Sequence, residues 1–311
     1  MINREDIVVF LKGFAMGAAN VVPGVSGGTI AFITGIYERL IEALKAFDLE
    51  ALKMIFDLKI AAFCKKTDLR FLIALGLGVV TSVASLAHVL KWGFKEHPVL
   101  IWALFFGLIL ASVPSLIRMV KVWRVGSVGC LLTGLAVAIA MAFLKPASEN
   151  PHIFYLLLCG TAAMCSMIIP GLSGSFVLLL MGNYELVMLD SVNALTALNL
   201  GKSLPVLIPV GIGAVIGLLV LARVLSWLFK NHHDKAVAAI AGFVAGSLVI
   251  IWPWKDKMAQ IFQIDGVTKE KIIGYQNWHL PDLAHANNWL AILFMLIGAG
   301  LIVILERLAK R

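Results

Sequence analysis

Charge is scarce in this 311-residue chain: 14% of its residues are Asp, Glu, Lys or Arg, against 60% hydrophobic. A soluble domain carries roughly a quarter of its residues as charges. The balance therefore excludes an ordinary water-soluble protein and is that of an integral membrane protein crossing the bilayer several times. Cysteine is also sparse, and Cys64, Cys130, Cys159 and Cys165 have no metal-ligand spacing. No disulfide framework, metal site or cofactor is implied. The aspartates, Asp6, Asp48, Asp57, Asp68, Asp190, Asp234, Asp256, Asp265 and Asp282, are scattered through connections. There is no acidic cluster to hold Mg²⁺ and no paired nucleophile and base, so no catalytic residue is assigned and an enzyme is not expected. The formal charge of +8 comes from Lys and Arg spread over short connections without interleaved aromatics. That argues against nucleic acid and for orientation in a membrane. A cleaved secretion signal is not expected either, because Glu5, Asp6 and Lys12 interrupt the pattern such a signal needs.

Long apolar runs are plentiful. Segments 71–90, 98–117, 125–144, 203–222, 236–254 and 288–305 are nearly free of charge and reach the ~20 residues that span a bilayer as helix. Two further apolar stretches are interrupted by helix breakers, "NVVPGVSGGT" at 20–29 and "MIIPGLSGSF" at 167–176. The interruption belongs to an internal repeat. At an offset of 147, Gly13, Gly24, Ser26, Gly27, Gly35, Tyr37 and Glu38 meet Gly160, Gly171, Ser173, Gly174, Gly182, Tyr184 and Glu185. At 135, "LAHVLKW" from 86 meets "LARVLSW" from 221, and Ala103, Gly107 and Ser112 meet Ala238, Gly242 and Ser247.

Each half thus holds one broken segment and three spans: residues 1–150 with a hairpin at 7–47, and residues 151–311 with a hairpin at 152–190. Whether the halves are inverted depends on whether the broken segment crosses the bilayer or turns back. Stretches 7–22 and 28–41 each rise about 20–24 Å as helix, together too long for one crossing and individually suited to a re-entrant hairpin. With both hairpins re-entrant and both termini cytoplasmic, sixteen Lys and Arg fall inside and eight outside, as cytoplasmic loops require. Eight full spans with the amino end outside divide them fifteen to nine, so segment length decides. The expected fold is an all-α polytopic membrane protein of two inverted-topology repeats, each a re-entrant broken-helix hairpin plus three spans. Leu40, Leu44, Phe47, Ala51, Ile55 and Leu58 recur at helical spacing and predict helix that lies along the cytoplasmic interface or packs on the protein. Residues 252–288, with Trp252, Trp254, Tyr275, Trp278 and Trp289, read as an external loop held at headgroup level, with a turn at Asp265-Gly266.

Irregular backbone within a bilayer survives only where it is buried in protein or lines a wet cavity. Pro23 and Pro170 end the first half-helices, and Ser26 and Ser173 are placed to N-cap the second. Free amides, the helix dipole and nearby hydroxyls are the components of a phosphate or carboxylate site. The candidate positions are Pro23, Gly24, Val25, Ser26, Gly27, Gly28 and Thr29, with Pro170, Gly171, Leu172, Ser173, Gly174 and Ser175. Repeat-related discontinuous helices near the midplane are the mark of alternating-access transporters. Arg118 and Arg223 fit either a phosphate contact or a snorkelling helix end. His88 fits the bland role better, and His232 and His233 read as solvated in a cytoplasmic turn. Glu38 and Glu185, each after a tyrosine, are candidates either to take up a proton or cation or to close the hairpin against the headgroups.

On these doubled "PGVSGG" and "PGLSGS" hairpins the chain resembles, over essentially its whole length, the bacterial PopT family of polyprenyl-phosphate transporters. The resemblance implies a bacterial cytoplasmic (inner) membrane protein that returns undecaprenyl phosphate, the lipid carrier of envelope synthesis, from the outer to the inner leaflet. It carries over only the hairpin positions Pro23 to Thr29 and Pro170 to Ser175. A lipid monophosphate bears about −1.5 to −2 charges. Moving it inward opposes an inside-negative potential by roughly 2.3 kcal/mol per charge per 100 mV, so proton or sodium coupling is expected. A secondary transporter of a small soluble anion is the competing reading, followed by a membrane enzyme acting on prenyl phosphates.

Overall fold

Runs of Leu, Ile, Val and Ala form long helices, and the Pro-Gly interruptions fall between short ones. The computed structural model describes residues 3–20, 26–196, 198–264 and 267–309. Pro23, Gly24 and Val25, the Asp265-Gly266 turn and the basic residues Lys310 and Arg311 lie outside them. Helices α1 (Arg4–Asn20) and α2 (Gly27–Ile33) flank the first interruption, and α3 (Tyr37–Lys45), α4 (Leu49–Phe56) and α5 (Ile60–Lys66) follow. Then come α6 (Leu69–Glu96), α7 (Pro98–Arg118) and α8 (Val125–Ala142). The second half runs α9 (Ile153–Ile168), α10 (Gly174–Leu180), a π-helical turn (Glu185–Asp190), α11 (Ser191–Thr196), α12 (Leu200–Ile251) and α13 (Ala286–Ala309). Among the described residues five helices are long and apolar enough to cross a membrane: Leu69–Leu86 of α6, then α7, α8 and α12, and Ala286–Ile304 of α13. The protein is therefore a helical, multi-pass membrane protein.

Two of the six expected spans fall on α12, 203–222 wholly and 236–254 as far as Ile251. Its 52 residues would rise about 78 Å if straight, more than twice a hydrocarbon core of about 30 Å. The helix breaks at His232, whose torsions (φ −141°, ψ 43°) are not helical. His97, between α6 and α7, has nearly the same torsions (φ −135°, ψ 55°) and lies 135 positions earlier. Trp92 meets His97 edge-on at 5.8 Å, and Trp227 meets His232 edge-on at 5.4 Å. One turn is thus built twice, and the two arms of α12 correspond to α6 and α7.

Glycine sets the helix pairing. A Cβ on Gly13 would overlap the carbonyl of Leu75 and one on Gly78 the carbonyl of Phe10; in the second half Gly160 and Gly213 stand in the same relation to Val210 and Leu157. Contacts along each pair advance together, from Gly13–Leu75 to Gly17–Val79 and Ser82, so α1 and α6 run parallel. α9 runs parallel to the first arm of α12: Gly160 meets Val210, and the Thr161 hydroxyl donates to the Gly213 carbonyl at 3.0 Å. α8 pairs likewise with the second arm, from Gly126–Lys235 to Ala138–Gly246. α13 pairs with α7 through Gly107–Met295 and the Ala103–Ala291 cluster.

Two connections differ from expectation. The interfacial stretch is three short helices rather than one. Asp48 caps α4 by accepting from the Ala51 amide (2.8 Å), and Leu58 takes a positive φ of 57° before α5. Ala51 is buried while Leu49, Phe56 and Leu58 are exposed, so part of the expected stripe packs on the protein. The expected external loop contains an antiparallel ribbon, β1 (Asp256–Ile264) with β2 (Val267–Gln276), paired from Asp256↔Gln276 to Ile264↔Val267 with a register shift between Met258 and Ala259. Its tryptophans anchor it to protein. The Trp252 indole donates to His279 O (2.9 Å), the Trp278 indole donates to Val249 O (3.0 Å), and Trp254 is buried against Ala103 and Ala291. Trp289 stays exposed.

Candidate functional site

The two interruptions meet. Ser26 N-caps α2 from an extended backbone (φ −114°, ψ 134°), its hydroxyl accepting from the Gly28 amide at 3.1 Å. The same hydroxyl donates across to Met167 O at 3.2 Å, and the Tyr37 hydroxyl donates to Ile168 O at 3.0 Å. Met167 and Ile168 close α9, where carbonyls lack helical partners. Side chains of the first hairpin therefore complete the end of the second hairpin's leading helix. In return the Gly171 amide donates to Thr29 Oγ1 at 2.8 Å. A Cβ on Gly28 would press on Ile168 O, so only glycine permits this approach.

The hydroxyls are deeply placed, with Ser26 at 1%, Thr29 at 0% and Ser173 at 7% exposure. The expected bare amides are not bare. Gly27 N–H donates to Asn20 Oδ1 (2.7 Å), Gly28 N–H to Ser26 and Gly171 N–H to Thr29. In the second hairpin Ser173 holds the N-cap position without a cap bond and pairs with the Ser175 hydroxyl at 2.7 Å. Pro170 and Leu172 are buried beside it, Gly174 packs on Ala163 and Met167, and Gly171 takes φ +90° against Phe243, Val244 and Ser247. One turn further along α12 opens a cavity of about 490 Å³ lined by Phe106, Phe143, Leu248, Trp252, Trp278 and Leu280.

The charged candidates stand apart from this junction. Arg118 is exposed at the end of α7, and Arg223 is exposed with its guanidinium donating to Leu219 O of its own helix (3.0 Å). Glu38 lies 3.1 Å from His233 Nε2, and Glu185 opens the π-helical turn. The side chain of His88 is outside the described residues. Lys12, whose direction the sequence leaves open, donates to Thr34 O at the end of α2 (2.8 Å). Among the described residues no group of His, Cys, Asp and Glu is arranged to hold a metal. Sequence reasoning missed Asn20 and the reach of Tyr37. The repeated Tyr-Glu pair signalled the tyrosine, but nothing local pointed to a carbonyl 131 positions away. It also left His233 solvated, whereas its ring packs against Phe229 and Glu38.

Residues 16–269 match the family model described as "VCA0040-like: Undecaprenyl phosphate translocase-like". A protein of Vibrio cholerae serotype O1 named polyprenyl-phosphate transporter is 37% identical over 307 residues, covering 97% of this chain and 96% of that one. A Staphylococcus aureus protein of the same name is 30% identical over 255 residues, covering 78% and 85%. No solved structure matches.

Proposed function

The chain belongs to the undecaprenyl phosphate translocase-like family, and from that premise we propose that it carries a polyprenyl phosphate, undecaprenyl phosphate in particular, from the outer to the inner leaflet of a bacterial cytoplasmic membrane. It acts as a transporter and not as an enzyme. The observation that carries the reading is the interlocking of the two hairpin tips through Ser26, Thr29 and Tyr37 on one side and Met167, Ile168 and Gly171 on the other.

Helix directions support inverted, re-entrant repeats. α1 and α6 run parallel, so the chain between them has returned to the face it left; the same holds for α9 and the first arm of α12. The turns at His97 and His232 reverse the chain, which puts α1 and α9 in opposite directions. The hairpins then enter from opposite faces and touch at mid-depth, with both termini cytoplasmic. In this state the amides of Gly28 and Gly171 rest on Ser26 and Thr29. A phosphate at the tips, with acceptor oxygens and about −1.5 to −2 charges, takes the place of those hydroxyls as acceptor. The hydroxyls then turn to donate to it. Ser173 and Ser175 supply two more donors, and the polyprenyl tail stays in lipid. Arg118 and Arg223, both toward the cytoplasmic ends of their helices, receive the headgroup on the inner side. Proton or sodium coupling through Glu38 and Glu185 offsets the cost of moving a dianion against an inside-negative potential.

Reconstitution in liposomes with a leaflet-resolved assay of polyprenyl phosphate tests this. Wild type is expected to transfer the lipid, and Ser26→Ala and Ser173→Ala to slow it. Transfer no faster than in protein-free vesicles sinks the reading, and equal rates in all three proteins remove the hydroxyls from it.

A further inference from the structure

The end of α12's first arm carries a polar cluster that the tips do not explain. His233 Nε2 lies 3.1 Å from Glu38 Oε1, and its Nδ1 lies 3.6 Å from Asp234 Oδ1, buried and without a hydrogen-bond partner. Asp234 is itself fixed, accepting from the backbone amides of Lys121 (3.0 Å) and Val122 (3.1 Å) between α7 and α8. Beside it Ser226 donates to Glu42 (2.5 Å), Lys45 donates to Ser226 (2.8 Å), and Lys230 lies 3.5 Å from Glu42. Phe229 packs on Tyr37 at 5.8 Å. This cluster binds α3, the turn of α12 and the α7–α8 connection into one unit. Through Tyr37, whose hydroxyl reaches Ile168, it adjoins the hairpin tip.

The imidazole needs a second proton to bond two carboxylates at once. Neutral, it has a single N–H and must turn a lone pair toward one of two carboxylates; as imidazolium it donates to both. The geometry, an imidazole between carboxylates with one nitrogen unpartnered, is completed only by the charged form. At the corresponding positions the other repeat carries no imidazole and carboxylate pair. At the same offset His233 and Asp234 correspond to Pro98 and Val99, and Glu185, the counterpart of Glu38, sits on a turn packed within its own half against Leu156 and Val206. One face of the protein is therefore held by a protonatable contact, while the aromatic cavity lies toward the other.

Resting on the transport reading above, we propose that His233 is a coupling residue at the inner gate: protonated, it holds α3 against the α12 turn and keeps the cytoplasmic side closed; neutral, it releases α3. The charged groups around it are Glu38, Glu42 and Lys45 of α3, Lys230, Asp234 and Lys235 of α12, and Lys121 and Arg124 in the connection whose amides Asp234 binds. Of these side-chain types, imidazole is the one suited to switching near neutral pH.

The test is hydrogen–deuterium exchange of residues 37–45 in the full chain in liposomes, corrected for the intrinsic pH dependence of exchange. In wild type, protection falls on the order of tenfold from pH 5.5 to pH 8.5, the effect of losing one charge-assisted hydrogen bond. His233→Gln, which cannot charge, gives the weak protection at both pH values; His233→Lys, always charged, gives the strong protection at both. A glutamine variant that keeps the wild-type pH response overturns the proposal, as does a wild type with none. These outcomes separate from the transport reading: absence of lipid transfer in wild type fails that reading, whereas transfer with a pH response indifferent to residue 233 fails only this one.

Discussion

The two hairpins derive from one repeat, yet they behave as giver and receiver. The first sends Ser26, Thr29 and Tyr37 across the junction; the second presents the carbonyls of Met167 and Ile168 and the amide of Gly171, and keeps its own hydroxyls paired with each other. At the membrane-facing ends the contrast recurs, since α3 grips the α12 turn while the corresponding turn of the second half stays at home.

The contrast can be broken most severely at Gly171. Its φ of +90° and its crowding by Phe243, Val244 and Ser247 mean that Gly171→Ala costs about 1–3 kcal/mol in backbone strain alone, read as a lowered midpoint of thermal unfolding in detergent. Next is Thr29→Val, which leaves the Gly171 amide buried without an acceptor and costs about 1–3 kcal/mol. Ser175→Ala removes only a hydroxyl pair and costs about 1 kcal/mol or less. If the two variants melt alike, the first hairpin is not the giver. Ser26→Ala loses a helix cap, typically about 1 kcal/mol, whereas Ser173→Ala loses none; the difference between their unfolding midpoints measures the asymmetry directly. A pH-dependent effect lies outside this contrast, at the ribbon. Lys255 sits 4.1 Å over Trp102 and 4.2 Å over Tyr275 and donates to Ile250 O. Burial lowers its pKa to about 7. The unfolded amine, near the usual value of about 10.4, binds more protons between those limits, so the folded state gains stability as pH rises from about 7 toward 10. Relative to Lys255→Met, the wild-type melting temperature should climb through that window and stay level below it.

Much of the fold was legible because it is written locally. Apolar run lengths marked the spans, and the shared offsets 147 and 135 matched hairpin to hairpin and arm to arm, down to Trp-His turns that share torsions. The ribbon at 256–276 was not, since "DKMAQIFQI" and "VTKEKIIGYQ" lack the clean alternation of apolar and polar residues that marks a strand. The site was half legible. Pro, Gly and Ser predicted where helices stop and which hydroxyl caps, as Ser26 does. They did not predict that Asn20 would take the Gly27 amide or Thr29 the Gly171 amide, because those bonds depend on what lies across the junction and not along the chain. His233 was read as solvated for the same reason: sequence placed it in a polar turn and could not bring Glu38 from 195 positions away.

Where Gly13 and Gly78 abut opposing carbonyls, and Gly160 and Gly213 do the same, no side chain lies between the backbones to roll or slide upon. The leading rod of either wedge is keyed into the pillar behind it, tooth in notch. Whatever swings during a working cycle must carry rod and pillar as one piece.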